Sequence, residues 1–255
     1  MLIINSIYHY SVKMKKYYYA LAVLLFTATY THAQSLEEIL EAHHEVVGLE
    51  ATMEAETIVM KGTLAQMGME FPLTMYQKRT DEGMKQRMQL EFQGQVMVLR
   101  AWNGEDGWKK MPGMAGGIEL QDLTSEELEE VQDERMEGEF HNWEERGYTI
   151  TLLDEDEFEG TPAFAIELVK ENGSKSVTYL DQETFVMIGS QNTMNMQGQE
   201  ITTTSVVGNY EMVEGMAFPM SIDIVANGQA IFSMNFSEIL IDQEIDDSLF
   251  DRPAN

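Results

Sequence analysis

The sequence predicts a mainly β, α+β protein: one antiparallel sheet of about 11–12 strands, with an N-terminal helix and a helical insertion. Apolar and polar residues alternate along most of the chain, as in strands with one dry and one wet face. Short turn signals rich in Gly, Asn and Asp separate these stretches, which predicts antiparallel neighbours. Apolar residues recur at helical spacing near 36–47 and about 122–146.

The alternation is clearest between residues 56 and 108. There Met69, Phe71, Leu73 and Met75 share one face of a predicted strand, and polar residues occupy the other. The first series of strands is predicted near 56–67, 69–79, 84–93, 95–103 and 107–111. The second series is predicted near 148–154, 162–170, 175–181, 185–193, 199–208, 216–226 and 229–241.

Residues 1–33 are interpreted as a secretory signal peptide. Lysines precede an apolar run that is too short to span a bilayer, and Thr31-His32-Ala33 offers small residues at the cleavage positions. Residues 1–13 are interpreted as an over-extended start before Met14. Cleavage leaves residues 34–255 as a single domain without cysteine, hence without the usual lipid anchor. A soluble, monomeric protein exported to the periplasm is expected.

Two further segments connect the strands. The first predicted helix begins with the capping-box pattern Ser35 to Glu38 and ends at Gly48. Residues 111–121 are rich in Met and Gly and predict either an ordinary loop or a moving flap. The helical insertion begins at Thr124 or Ser125 and carries a coarse apolar stripe, made of Leu128, Val131, Met136, Phe140 and Trp143.

Charge excludes one class of function. The chain has a net charge of −28, and removing residues 1–33, with their three lysines, makes it about −31. Such a surface repels nucleic acid and disfavours adhesion to anionic lipid. The charge is interpreted mainly as a source of solubility.

Motifs for catalysis or metal binding are missing from the sequence. After the signal, His43, His44 and His141 remain, without metal-ligand spacing. No nucleophile elbow or phosphate-binding glycine loop is present. Residues 154–156 begin like a calcium loop, but the glycine needed at the sixth position is missing. The protein is therefore expected to be no enzyme and to need no cofactor and no metal.

Six local patterns, in their order along the chain, resemble the LolA-like periplasmic lipoprotein carrier superfamily, in its outer-membrane lipoprotein-sorting branch. Each is a turn or strand pattern of low specificity, and together they cover most of residues 34–255. They are Val46-Val47-Gly48-Leu49, the Trp-rich segment 102–108 with Met111-Pro112, and the segments 158–162, 179–185, 215–219 and 248–253.

The resemblance implies a strongly bent, unclosed antiparallel barrel whose N-terminal helix and helical insertion cover the concave face. It also implies a carrier of lipid or acylated lipoprotein, with membrane-bound donor and acceptor proteins as partners. Residues 34–255 contain 18 methionines, whose flexible side chains suit variable apolar ligands. A filled Met-rich core in a structural or sensory protein-binding module on the same fold remains the alternative.

The candidate site residues follow from the alternation and the resemblance. Arg100 is the candidate for holding the helical lid, with Glu126 to Glu130 as its partners; the alternative is an edge-strand arginine exposed to solvent. The candidate apolar cavity is lined by Met60, Phe71, Leu73, Met75, Met88, Leu90, Phe92, Val98, Trp102, Trp108, Met136, Phe140, Trp143, Phe218, Met220, Phe232, Met234 and Phe236.

Overall fold

The computed structural model describes residues 34–81, 83–112, 117–154, 157–196, 199–226 and 228–254. Contacts divide the chain into residues 1–35 and a compact unit of residues 36–255, and the fold below is that of the second unit. The predicted signal peptide, residues 1–33, and the start at Met14 lie outside the described residues.

The described residues of this unit form fourteen strands. The first series is β1 Thr57–Gln66, β2 Met69–Thr80, β3 Gly83–Phe92, β4 Gln95–Trp102, β5 Gly107–Pro112 and β6 Ile118–Asp122. The second series is β7 Thr149–Leu152, β8 Glu157–Phe158, β9 Thr161–Val169, β10 Lys175–Asp181, β11 Met187–Met196, β12 Gln199–Val213, β13 Met216–Ala226 and β14 Gln229–Ile241.

The strands form one open sheet in the order β6-β5-β4-β3-β2-β1-β14-β13-β12-β11-β10-β9-β7, with β8 paired to β9. Every recorded pairing is antiparallel, as the short connections predict. Strand β1 joins the two series, since it pairs with both β2 and β14. The predicted open antiparallel sheet is confirmed, with two or three more strands than expected.

Among the described residues, three α-helices accompany the sheet: α1 Leu36–Val47, α2 Leu49–Glu54 and α3 Ser125–Asp133. Helix α1 ends before Gly48 as predicted, but α2 follows at once. Gly48 has φ 75°, and a Cβ there would lie 1.9 Å from the carbonyl oxygen of Gly215, so only glycine fits this corner. Thr124 caps α3 in a capping box with Glu127.

Two segment predictions need correction. Residues 118–121, expected in a loop or flap, belong to β6, which pairs with β5; the alternation there is too short to stand out after a glycine-rich stretch. Residues 113–116 of that predicted loop lie outside the described residues. The helical insertion is helical only over α3, and turns and bends follow from residue 134 to 147, where Gly138 and Gly147 have positive φ.

The helices pack on one face of the sheet, which we call the concave face. Ile39 and Leu40 of α1 pack among Ile150, Ile166 and Leu180 of the second strand series. Val131 and Leu128 of α3 cover Trp102 and Leu123. Burial of apolar side chains therefore fixes both helices on the sheet.

Candidate functional site

The candidate site is a large apolar cluster on the concave face, between the two helical covers. Its described members number 24, drawn mainly from β1–β4, β13 and β14, and eight of them are methionines. We call it the concave-face cluster. The strand pairing places apolar residues of neighbouring strands opposite one another on the same face, such as Met60 opposite Met75 and Met75 opposite Met88. The alternation seen in the sequence thus becomes a continuous apolar surface.

Twelve of the predicted cavity residues belong to this cluster. Leu73, Leu90, Met234 and Phe236 are buried, and the others are only partly buried. Phe92 is exposed at the border, with its ring centroid 5.7 Å from that of Phe71. The other members of the predicted set are Met60, Met75, Met88, Met136, Phe218, Met220 and Phe232.

Besides Phe92, five predicted residues lie outside the cluster. Phe140 and Trp143 pack against the α1 region, and Trp102 lies under α3. Val98 and Trp108 lie on the opposite, convex face, where the Trp108 Nε1 donates a hydrogen bond of 2.9 Å to the Phe250 carbonyl.

A β-bulge explains why Val98 lies on the convex face and not on the predicted concave face. Val98 pairs with Gln89 and Arg100 pairs with Met88, so Leu99 is the extra residue of β4. Simple alternation would put residues 98, 100 and 102 on one face. The bulge turns Val98 to the convex face and brings Met97, which sequence reasoning missed, into the concave-face cluster.

The same convex face carries a surface cleft of about 370 Å³ between β3–β5 and the C-terminal tail. Arg87 lies in its wall, with its guanidinium carbon 5.6 Å from the centre of the Trp108 ring. Arg252 of the tail is held by Asp106 and Asp122. This cleft lies on the opposite face from the concave-face cluster.

Arg100 joins β4 to the segment around the end of α3. Its guanidinium lies 3.4 Å from a Glu130 carboxylate oxygen and 2.9 Å from one of Glu134. Burial raises the pKa of Glu134, and the positive charge of Arg100 opposes that rise. The side chain of Arg100 is 20% exposed and β4 lies inside the sheet, between β3 and β5, so the edge-strand alternative is wrong.

Glu130 was among the predicted partners of Arg100, and Glu134 was not. Glu134 follows Glu130 by four residues, immediately after the last residue of α3. Because residues four apart on a helix share a face, Glu134 could have been included from spacing alone.

Two further groups of charged side chains, around Arg79 and Asp133, were not predicted from the sequence. Arg79 donates to the carbonyls of Thr52 and Ala55, at 2.6 and 2.9 Å, and forms an ion pair with Glu137. Asp133 accepts bonds from Arg146, Tyr148 and Lys170. Burial alone would raise the pKa of Asp133, but these donors together lower it. The partners are distant in sequence, so no local pattern could reveal them.

The three histidines of the described chain lie close to aromatic side chains or to one another. His43 Nδ1 lies 2.8 Å from the Phe185 carbonyl oxygen, and the rings of His44 and His141 lie 6.3 Å apart. Burial, then the charges of His43 and His141, lowers the pKa of His44 to about 4. Over the part of the chain that the structure describes, no three His, Cys, Asp or Glu side chains gather as a metal site.

Among the described residues, no helix is long and apolar enough to span a membrane.

No family model and no curated protein matches the chain. Solved structures do. It is similar to an outer membrane lipoprotein-sorting protein domain from Vibrio parahaemolyticus, with a TM-score of 0.55 and 12% identity over 83% of this chain and 97% of that one. It is also similar to a LolA superfamily protein from Nitrosomonas europaea, with a TM-score of 0.51 and 16% identity over 86% and 99%.

The chain has a LolA-like fold. A DUF1329 family protein from Desulfovibrio piger is similar as well, with a TM-score of 0.54 and 10% identity over 84% of this chain and 97% of that one. Identities this low establish the fold alone. The resemblance inferred from local patterns is thus confirmed at the level of the fold, and the LolA-like sheet carries the concave-face cluster on its helix-covered side.

Proposed function

We propose that this protein is a non-enzymatic periplasmic carrier of acyl chains, held on the concave-face cluster, that takes part in outer-membrane lipoprotein sorting. The cargo is a lipid or an acylated lipoprotein, and the partners are membrane-bound proteins that give and receive it. The similarity to LolA-like and lipoprotein-sorting structures supports a carrier of this kind.

One observation carries the proposal: 13 of the 24 described members of the concave-face cluster are only partly buried. A core that existed only for stability would bury such side chains more completely, since burial of a large apolar side chain contributes about 1.5–3 kcal/mol. Phe71, Met75 and Met88, for example, keep surface that an acyl chain could cover.

The chemistry of the cluster suits such a cargo. Each buried CH₂ of an acyl chain is worth about 0.8 kcal/mol, so long chains need a continuous apolar surface to cross water. The eight methionines of the described cluster are unbranched and polarizable and adapt to chains of different length. The ion pairs of Arg100 with Glu130 and Glu134 would hold the α3 region against β4 in the empty carrier.

Native mass spectrometry of the protein purified without detergent tests the proposal. The expected result is a bound mass that matches a phospholipid or an acylated peptide, or uptake of an added long-chain fatty acid. Met75→Gln should weaken that uptake, because it places an amide in the cluster. Thr74→Gln, on the neighbouring residue and the other face of β2, is the matched control and should leave uptake unchanged.

A bare mass with no uptake of added fatty acid would overturn the carrier. The same fold would then be assigned to a structural or sensory module that binds a protein partner. If Met75→Gln and the unsubstituted protein take up fatty acid equally, the protein binds acyl chains at a site other than this cluster.

A further inference from the structure

Charge is distributed unequally between the two ends of the sheet. Because all pairings are antiparallel, the connections β1–β2, β3–β4 and β13–β14 lie at the same end. Residues 62–69, 92–99 and 224–237, which contain these connections, hold no Asp, Glu, Lys, Arg or His. Such stretches are unexpected in a chain with 60 charged residues among 255. We call this end the neutral end.

The opposite end is acidic. Its described connections include residues 81, 103–106, 153–154, 159–160, 182–186 and 214–215, and each contains at least one carboxylate. Strands of 10–12 residues at about 3.3 Å each separate the two ends by roughly 30 Å or more. That distance exceeds the Debye length of about 8 Å at physiological salt several times over. The acidic end therefore has little electrostatic influence at the neutral end.

The neutral end also exposes large apolar side chains. Met67 is 91% exposed, and Met69, Phe92 and Ile231 are exposed as well. They come from three separate connections or strand ends. Phe92 touches Phe71 of the concave-face cluster, so Phe92 continues the apolar surface of that cluster outward.

Nearby charges face away from this surface. Glu70 and Glu91 are the closest carboxylates along β2 and β3, and by alternation they lie on the convex face. Another connection at the same end, residues 170–174, carries Lys170 and Glu171. It belongs to the far half of the sheet, where Lys170 is paired with Asp133.

We propose that the neutral end docks on an uncharged lipid surface, with Met67, Met69, Phe92 and Ile231 inserted among the headgroups. This rests on the proposed function, because docking here would let an acyl chain pass between the bilayer and the concave-face cluster without crossing water. A lipid surface fits better than a protein partner. The exposed groups are few, apolar and on separate connections, and a stable protein interface needs about 800 Å² of complementary surface per partner.

The charge pattern sets the lipid preference. At about 10 mM salt, where the Debye length is about 30 Å, the net charge of −28 repels anionic headgroups even across the length of the sheet, whereas zwitterionic headgroups meet no such repulsion. Binding should therefore be stronger to phosphatidylcholine vesicles than to phosphatidylglycerol vesicles, and added salt should reduce that difference.

Flotation with phosphatidylcholine vesicles tests the proposal on the protein purified without detergent. Met67→Asn removes an exposed apolar side chain while keeping the turn, since Met67 has φ 51° and asparagine tolerates that conformation better. The combined variant Met67→Asn, Phe92→Gln should bind vesicles at least about tenfold more weakly than the unsubstituted protein. Met212→Gln, which changes a 63% exposed methionine beside the acidic connection 214–215, is the matched control and should bind normally.

Three results would overturn lipid docking at this end. The first is no binding to phosphatidylcholine vesicles at millimolar lipid. The second is an equal loss of vesicle binding in the combined variant and the control. The third is a protein that is dimeric without lipid and becomes monomeric in the combined variant but not in the control. The last would assign the neutral end to a second copy of the chain. Fatty-acid uptake, measured in the same preparations, separates the two proposals. If the unsubstituted protein binds vesicles but takes up no fatty acid, the carrier function is wrong and the docking surface remains.

Discussion

At the scale of single residues, Arg79 joins three parts of the fold. From β2 it reaches the carbonyls of Thr52 and Ala55 at the end of α2 and the carboxylate of Glu137 after α3. The free carbonyls at a helix C-terminus need donors, and a cation there also suits the helix dipole. One side chain thus ties the end of α2 and the segment after α3 to the first strand series.

Arg79→Gln is expected to lower the free energy of unfolding by about 2 kcal/mol, since it removes charged hydrogen bonds and leaves Glu137 without its partner. Urea denaturation measures the change. Lys61→Gln, which breaks an exposed pair with Glu238, is the control and should cost less than about 0.5 kcal/mol. Equal losses in both variants would contradict this role of Arg79.

His44 gives a second expectation at this scale, in the pH dependence of stability. Its pKa is lowered from 6.5 to about 4, so between these values the unfolded chain binds more protons than the folded one. Its contribution to stability is therefore complete above pH 7 and is lost as the pH falls toward 4.

His44→Gln should reduce the drop in unfolding free energy between pH 7.5 and pH 5 by about 1 kcal/mol, a value discounted for the partial exposure of the ring. Urea denaturation of both proteins at the two pH values measures it. The carboxylates titrate in both proteins, so their contribution cancels in the difference. A drop of the same size in the two proteins would refute the assignment to His44.

At the scale of elements, irregularities in the strands decide what faces the cluster. The bulge at Leu99 reverses the side on which Val98 lies. A second irregularity lies where β1 pairs with β14, between Lys61 and Gly62. At Gly62 a Cβ would stand 2.0 Å from the Asn235 carbonyl oxygen and 2.7 Å from the Phe236 Cα. The central strand therefore needs glycine at this position.

Gly62→Ala is expected to destabilise the protein by about 3 kcal/mol or more, because two backbones must separate in the middle of the sheet. Gly208→Ala is the matched control: it lies in β12, and its Cβ would meet nothing closer than Ser221 Oγ at 3.7 Å. Thermal and urea unfolding of the two variants should differ clearly. Similar stabilities would show that the sheet relaxes around residue 62 without cost.

At the scale of the whole molecule, excess negative charge opposes the compact state. With 44 acidic and 16 basic residues, self-repulsion is strong, and it is concentrated at the acidic end and in the tail after β14. Ion pairs such as Lys78 with Asp247 relieve part of it.

Raising NaCl from about 20 mM to 500 mM should raise the midpoint of thermal unfolding by about 5 °C, because salt screens this repulsion. KCl at the same concentrations should act equally, which separates screening from binding of a particular ion. A midpoint that stays constant or falls would mean that favourable ion pairs outweigh the net repulsion.

The sequence by itself determined the fold class, the antiparallel pairing and most strand positions, because alternation and turn residues are local properties of the chain. It also determined ten apolar residues of β2, β3, β13 and β14 that belong to the concave-face cluster of 24 described members. Only the tertiary structure decided the bulge at Leu99, the pairing of β6, the contacts of Arg79 and the grouping of uncharged connections at one end. Each depends on segments that are distant along the chain and meet only once the sheet has formed.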